Sequence, residues 1–166
     1  MKVYNTAVVI IPPIQLWAPI QKIREKNDRA YKRWMPHITL LYPFREESQF
    51  KSLESKFSEC CKTFSAFNIS FKDFQYFKHG KDNFTIWLKP EPTILIVKLQ
   101  KILLNLVPDC NDVNKFKNGF TPHLSVGQIK GKNNLNLLLN QLQTNWEELS
   151  FKNGSISFIL RKPEKD

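Results

Sequence analysis

One five-residue pattern occurs twice in this chain, as Pro36-His37-Ile38-Thr39-Leu40 and as Pro122-His123-Leu124-Ser125-Val126. No other feature constrains the fold as much. Side chains along a strand alternate between faces, so a two-residue offset puts each His on the same side as its Thr or Ser. The aliphatic partners, Ile38 and Leu40 in one copy, Leu124 and Val126 in the other, then point into a core. Two such strands facing each other would present two imidazoles and two hydroxyls across a cleft. That set of groups suits a bound phosphate.

The elements around the two motifs read as follows. Thr6 to Ile11 is a buried strand ended by Pro12-Pro13. Ile14 to Tyr31 carries Leu16, Ile20, Ile23 and Ala30 near helical spacing, with Arg24 and Asp28 expected as a surface pair four residues apart. A strand from His37 to Phe44 holds the first motif. Ser48 to Phe64 is a second amphipathic helix, capped by Ser48. Phe67 to Phe77 and Phe84 to Leu88 form a hairpin about a polar turn that includes His79. Thr93 to Val107 is a third helix, and Thr121 to Ile129 is the second motif strand. Leu135 to Leu149 is a fourth helix, and Phe151 to Leu160 a closing hairpin turned at Asn153-Gly154. Each motif strand is flanked by helices and followed by a hairpin. This order predicts an α+β protein with a weak internal repeat, as a single domain over residues 1–166.

Hydrophobic residues make up 42% of the 166, with 13 Phe and 4 Trp, enough to form a core and to exclude a disordered chain. The core is large enough for a monomer. The formal net charge of +10 favours polyanionic partners, although a Lys-rich composition alone would produce the same figure. Cys60, Cys61 and Cys110 make no disulfide framework, which fits a reducing compartment. The apolar run Ala7 to Ile11 is too short to span a membrane, and no signal-peptide pattern follows it. A cytosolic or nuclear protein without a membrane partner is expected.

Histidine titrates close to neutrality, so one neutral and one protonated imidazole supply a general base and a general acid together. Displacement at phosphorus places the attacking and leaving oxygens on opposite sides, and two facing strands would flank it. His37 and His123 are therefore the candidate acid–base pair. Thr39 and Ser125 are the candidate donors to the non-bridging oxygens. A zinc site is disfavoured, because the third His lies in a turn and the cysteines lack ligand spacing. No cofactor is expected, and no glycine-rich nucleotide loop is present. A single His in a strand is most often a hydrogen-bonded structural residue; two matched copies in equivalent elements favour a site.

The longer phrases Arg33-Trp34-Met35-Pro36-His37-Ile38-Thr39-Leu40-Leu41-Tyr42-Pro43-Phe44 and Phe120-Thr121-Pro122-His123-Leu124-Ser125-Val126-Gly127-Gln128 resemble the 2H phosphoesterase superfamily, in particular a eukaryotic branch of it. That superfamily holds the 2′-5′ RNA ligase-like proteins and cyclic nucleotide phosphodiesterases. The resemblance implies a two-lobed, pseudo-twofold fold, with antiparallel sheets lining a central groove and helices outside. It also implies metal-independent chemistry on a 2′,3′-cyclic phosphate of RNA or a nucleotide, with a 2′-monoester product. Cleavage of 2′-5′ oligoadenylates, trimming of RNA 3′ ends, and a non-catalytic RNA- or nucleotide-binding groove are the alternatives. Arg33, Tyr42, Phe44, Phe120, Gln128 and Lys130, beside the motifs, are candidate substrate contacts. For most of the aromatics a core position is the default. For Arg33 and Lys130 the default is a solvated face.

Overall fold

In the computed structural model, residues 1–161 are described; the last five residues of the expected 1–166 domain lie outside them. The elements in chain order are β1 (Lys2–Val3), β2 (Thr6–Ile10), α1 (Trp17–Asn27), β3 (Ile38–Leu41), β4 (Phe44–Arg45), α2 (Phe50–Lys62), β5 (Phe67–His79), β6 (Asn83–Glu91), α3 (Thr93–Leu104), β7 (Leu124–Lys130), α4 (Lys132–Thr144), β8 (Leu149–Asn153) and β9 (Ser157–Leu160). The α+β expectation holds. All strand pairs are antiparallel, in a three-stranded sheet ordered β3-β2-β9, a four-stranded sheet ordered β7-β6-β5-β8, and a short β1-β4 ribbon.

The two motif strands occupy matching places. β3 and β7 are each an edge strand, and each pairs with the strand inside it, β2 or β6. Both carry the same irregularity. In β3, Thr39 faces Val9 and Leu41 faces Val8, which leaves Leu40 as the extra residue. In β7, Ser125 faces Trp87 and Gly127 faces Ile86, which leaves Val126 as the extra residue. Each is a β-bulge directly after the motif hydroxyl. The bulge explains why two consecutive residues are buried in each strand, Leu40 with Leu41 and Val126 with Gly127.

The core faces of the two sheets share one cluster of buried side chains, including Ile10, Ile38, Leu40, Ile86, Leu124 and Val126, with α3 contributing Ile96, Leu99 and Leu103. α3 packs on both β3 and β6, and α1 packs on β7. The first helix of the chain therefore leans on the strand of the second motif. Gly127 makes that approach possible. A Cβ there would come within 2.5 Å of Asn27 Cβ, closer than non-bonded carbons pack.

Several sequence expectations need correction. The first helix begins with a 3-10 turn at Ile14–Leu16 and ends at Asn27, short of Tyr31. The Asp28 carboxylate accepts the Ala30 amide, which turns the chain out of the helix. Ser48 lies in a 3-10 turn (Glu47–Gln49) and caps nothing; Gln49 precedes α2. α4 starts at Lys132 and stops at Thr144, leaving Leu149 to open β8. Phe151 to Leu160 is no hairpin. β8 pairs with β5 and β9 with β2, so the chain crosses from one sheet to the other at Gly154–Ile156. Asn153 ends β8 and Gly154 opens the crossover, so the strands on either side of the Asn-Gly pair belong to different sheets.

Candidate active site

A cavity of about 310 Å³ lies where β3 and β7 come together, within the size range of small-ligand sites. His37, Thr39, His123 and Ser125 all line it. Their surroundings repeat from one motif to the other. Pro36 and Pro122 are buried, the two imidazoles half-buried, Ile38 and Leu124 buried, and the two hydroxyl residues half-buried. His37 Nδ1 lies 2.7 Å from the Met35 carbonyl, and His123 Nδ1 lies 2.7 Å from the Thr121 carbonyl. A carbonyl only accepts, so each Nδ1 carries a hydrogen and donates it. That fixes the tautomer in both rings and leaves Nε2 as the nitrogen free to take or give a proton.

Burial lowers the pKa of both imidazoles below the usual 6.5, and in each case the backbone carbonyl on Nδ1 opposes the shift. His37 also feels the Arg24 guanidinium and His123, which disfavour its protonation, and Asp28, which favours it. A charge on His123 thus discourages one on His37, which disfavours protonating both rings together. Trp34 lies against His37, with ring centroids 5.9 Å apart. Phe77 meets His123 edge-on at 4.9 Å, and Trp87, stacked on Phe77, lies 5.9 Å from it.

The remaining wall comes from residues 24–35 and from Gln128. Arg24 and Asp28, expected on the surface, are instead buried at the cavity, each with a side chain 3% exposed. Arg24 Nε donates to Asp28 Oδ2 at 2.8 Å, Nη1 to Gln21 Oε1 at 2.8 Å, and Nη2 to the Trp34 carbonyl at 2.9 Å. Asp28 Oδ1 accepts from the Ala30 amide and from Gln128 Nε2. This network ties the end of α1 to the segment that leads into His37. The helical reading through Tyr31 hid it. Asn27-Asp28, a turn-forming pair at the end of the periodic stretch, is the signal that could have revealed it.

Among the candidate substrate contacts, Arg33 and Gln128 line the cavity and the others do not. Phe44 is fully buried, packed on Phe50, Phe57 and Phe158, and has no surface to offer a ligand. Phe120 packs against the core. The bulge turns Tyr42 out of the main core, where it joins a small cluster with Ala7, Val9 and Ile159 and donates its hydroxyl to the Tyr4 carbonyl. Lys130 is exposed at the far end of β7, opposite Asn83. Arg29, Trp34 and Met35 line the cavity without having been singled out in the sequence. Among the described residues, no group of three His, Cys, Asp or Glu side chains gathers that could hold a metal ion.

Residues 12–164 match the model of the 2′-5′ RNA ligase superfamily. The chain belongs to that superfamily, which bears out the resemblance carried by its two motifs. Among solved structures it is similar to the crystal structure of TT0787 of Thermus thermophilus, with 15% identity and a TM-score of 0.53, covering 93% of this chain and 84% of that one. That likeness is one of fold. A comparison with curated proteins gives no match. No helix among the described residues is long and apolar enough to cross a membrane.

Proposed function

We propose that the protein is a phosphodiesterase that hydrolyses a 2′,3′-cyclic phosphate on RNA or a nucleotide, with His37 and His123 as its acid–base pair. The observation that carries this reading is the shared cavity, where two imidazoles have Nδ1 held by a backbone carbonyl and each has a hydroxyl two residues on. One neutral imidazole takes a proton from water as its oxygen bonds to phosphorus. The protonated imidazole gives its proton to the departing oxygen, which is the 3′ oxygen when a 2′-monoester forms, as the P–O bond breaks. Thr39 and Ser125 donate to the non-bridging oxygens, where negative charge builds in the transition state. The 2′-monoester is the product we assign, on the strength of the family resemblance.

The test is turnover of a short RNA ending in a 2′,3′-cyclic phosphate, in excess EDTA. His37→Ala and His123→Ala should each lower kcat by about 10²- to 10⁴-fold. Wild-type turnover that persists in both variants would reject the two-histidine mechanism. Absence of wild-type turnover would move the assignment to 2′-5′ linkages, the bond in the superfamily's name.

A further inference from the structure

The cavity carries more positive charge than the reaction at the two imidazoles needs. Arg24, Arg29 and Arg33 line it against the single carboxylate of Asp28, a net of +2 with both imidazoles neutral. Arg24 is spent on Asp28, Gln21 and the Trp34 carbonyl. Arg29 and Arg33 are exposed, and among the described residues neither guanidinium has an ion pair or a side-chain hydrogen bond. A cyclic phosphate diester brings one negative charge, and the Thr39 and Ser125 hydroxyls with a protonated imidazole already answer it.

The segment bearing these two arginines is fixed in place. The Arg29 amide donates to Gln128 Oε1 at 3.1 Å, the Ala30 amide to Asp28 at 2.9 Å, and the Arg33 amide to the Ala30 carbonyl at 3.0 Å. Gln128 uses both ends of its amide on this segment, since its Nε2 donates to Asp28 at 3.2 Å. It is therefore a positioning residue that links the arginine-bearing turn to the strand of the second motif. The guanidiniums extend from a backbone that is already ordered before a ligand arrives, which lowers the entropic cost of holding an anion there.

We infer that Arg29 and Arg33 form a second anion subsite, so that the preferred ligand carries a second phosphate beside the one at the imidazoles. This rests on the phosphate-binding reading of the cavity given above. The second phosphate belongs either to a 5′-monoester on the same nucleotide or to the neighbouring internucleotide diester of a chain. Planar guanidiniums suit both, by paired hydrogen bonds to two oxygens.

Calorimetric binding of three product-like probes to the intact protein separates these cases: adenosine 2′-monophosphate, adenosine 2′,5′-bisphosphate, and an adenosine dinucleotide ending in a 2′-phosphate. At low salt at least one doubly phosphorylated probe should bind about tenfold tighter than the monophosphate, the gain of one good charge-assisted contact. In Arg29→Ala/Arg33→Ala the probes should come within about twofold of each other, and Arg29→Lys/Arg33→Lys should keep part of the preference. A gain confined to the bisphosphate assigns the subsite to a 5′-monoester, and a gain confined to the dinucleotide assigns it to a chain diester. Equal binding of all probes, no binding at all, or a preference that survives the double alanine variant would overturn the inference. A preference that behaves as expected in a protein without turnover on cyclic phosphates would leave the subsite standing and remove the hydrolase reading alone.

Discussion

At the scale of single residues, the proposed chemistry depends on how two imidazoles are held. Each is fixed through Nδ1 and has its pKa lowered by burial, so the free protein keeps both rings neutral at physiological pH more firmly than it would exposed histidines. The same shift has a consequence for folding. An imidazole with a lowered folded pKa binds fewer protons than in the unfolded chain, so its stabilising contribution is full above the unfolded value of 6.5 and is lost as pH falls toward the folded value. Melting temperature should therefore drop as pH falls below about 6.5. The drop should flatten in His37→Gln/His123→Gln, measured by thermal melts across that range. An unchanged slope in the double variant would assign the acid sensitivity to other groups. Glu91, Asp109 and Asp112, whose pKa values are held down by their lysine and arginine partners, act lower, from the ordinary carboxylate range downward. At the hydroxyls, Thr39→Val and Ser125→Ala remove the donors that the proposed mechanism sets against developing charge. Each should lower kcat by about 10- to 10³-fold with a smaller change in KM, read from steady-state kinetics on the cyclic-phosphate RNA.

At the scale of elements, the motif strands were legible because alternation is a local property. Pro-His-aliphatic-hydroxyl-aliphatic states which face is wet and which is dry, and the burial of Ile38, Leu40, Leu124 and Val126 follows it. Of the arginine wall only Arg33 was legible, because whether Arg24 and Asp28 meet water depends on β7, which lies about a hundred residues on. Spacing alone gives a helical pair; the strand above turns it into a buried one. Breaking such a pair leaves a charge without a partner, so Asp28→Ala should destabilise the fold by about 3–5 kcal/mol in urea unfolding. The contact between α1 and β7 is just as specific. Gly127→Ala forces a methyl group into Asn27 and should cost about 1–3 kcal/mol, with loss of the site geometry that the contact supports. A Gly127→Ala protein with wild-type stability would show that α1 can back away from β7 freely.

For the whole molecule, the closing crossover matters most. A hairpin at Phe151 to Leu160 was the natural reading, since Asn-Gly between apolar runs is the strongest short-range turn signal. Which partner a strand takes is decided by the open edges left in the rest of the fold, and here β2 and β5 each had one. The last strand therefore ties the second sheet back to the first. Phe158 on β9 packs within ring-centroid distances of 5.0–5.2 Å of Phe44, Phe50 and Phe57. Phe158→Ala should cost about 2–3 kcal/mol, less than for a fully buried ring because Phe158 is half-buried. Because β9 completes the sheet that holds Thr39, the same variant should loosen a site that it does not touch, seen as a rise in KM at temperatures just below the melt.

The paired bulges set the parity of everything that follows them. His123 and Ser125 are odd-numbered and face the cavity, and in an unbroken strand the next residue on that face would be Gly127. Gln128, even-numbered, would then lie in the core with an amide that apolar neighbours could not satisfy. The extra residue at Val126 reverses the count, so that Gly127 meets α1 and Gln128 reaches Asp28 and Arg29. One unpaired residue in one strand thus decides whether Gln128 can link the two halves of the chain across the cavity.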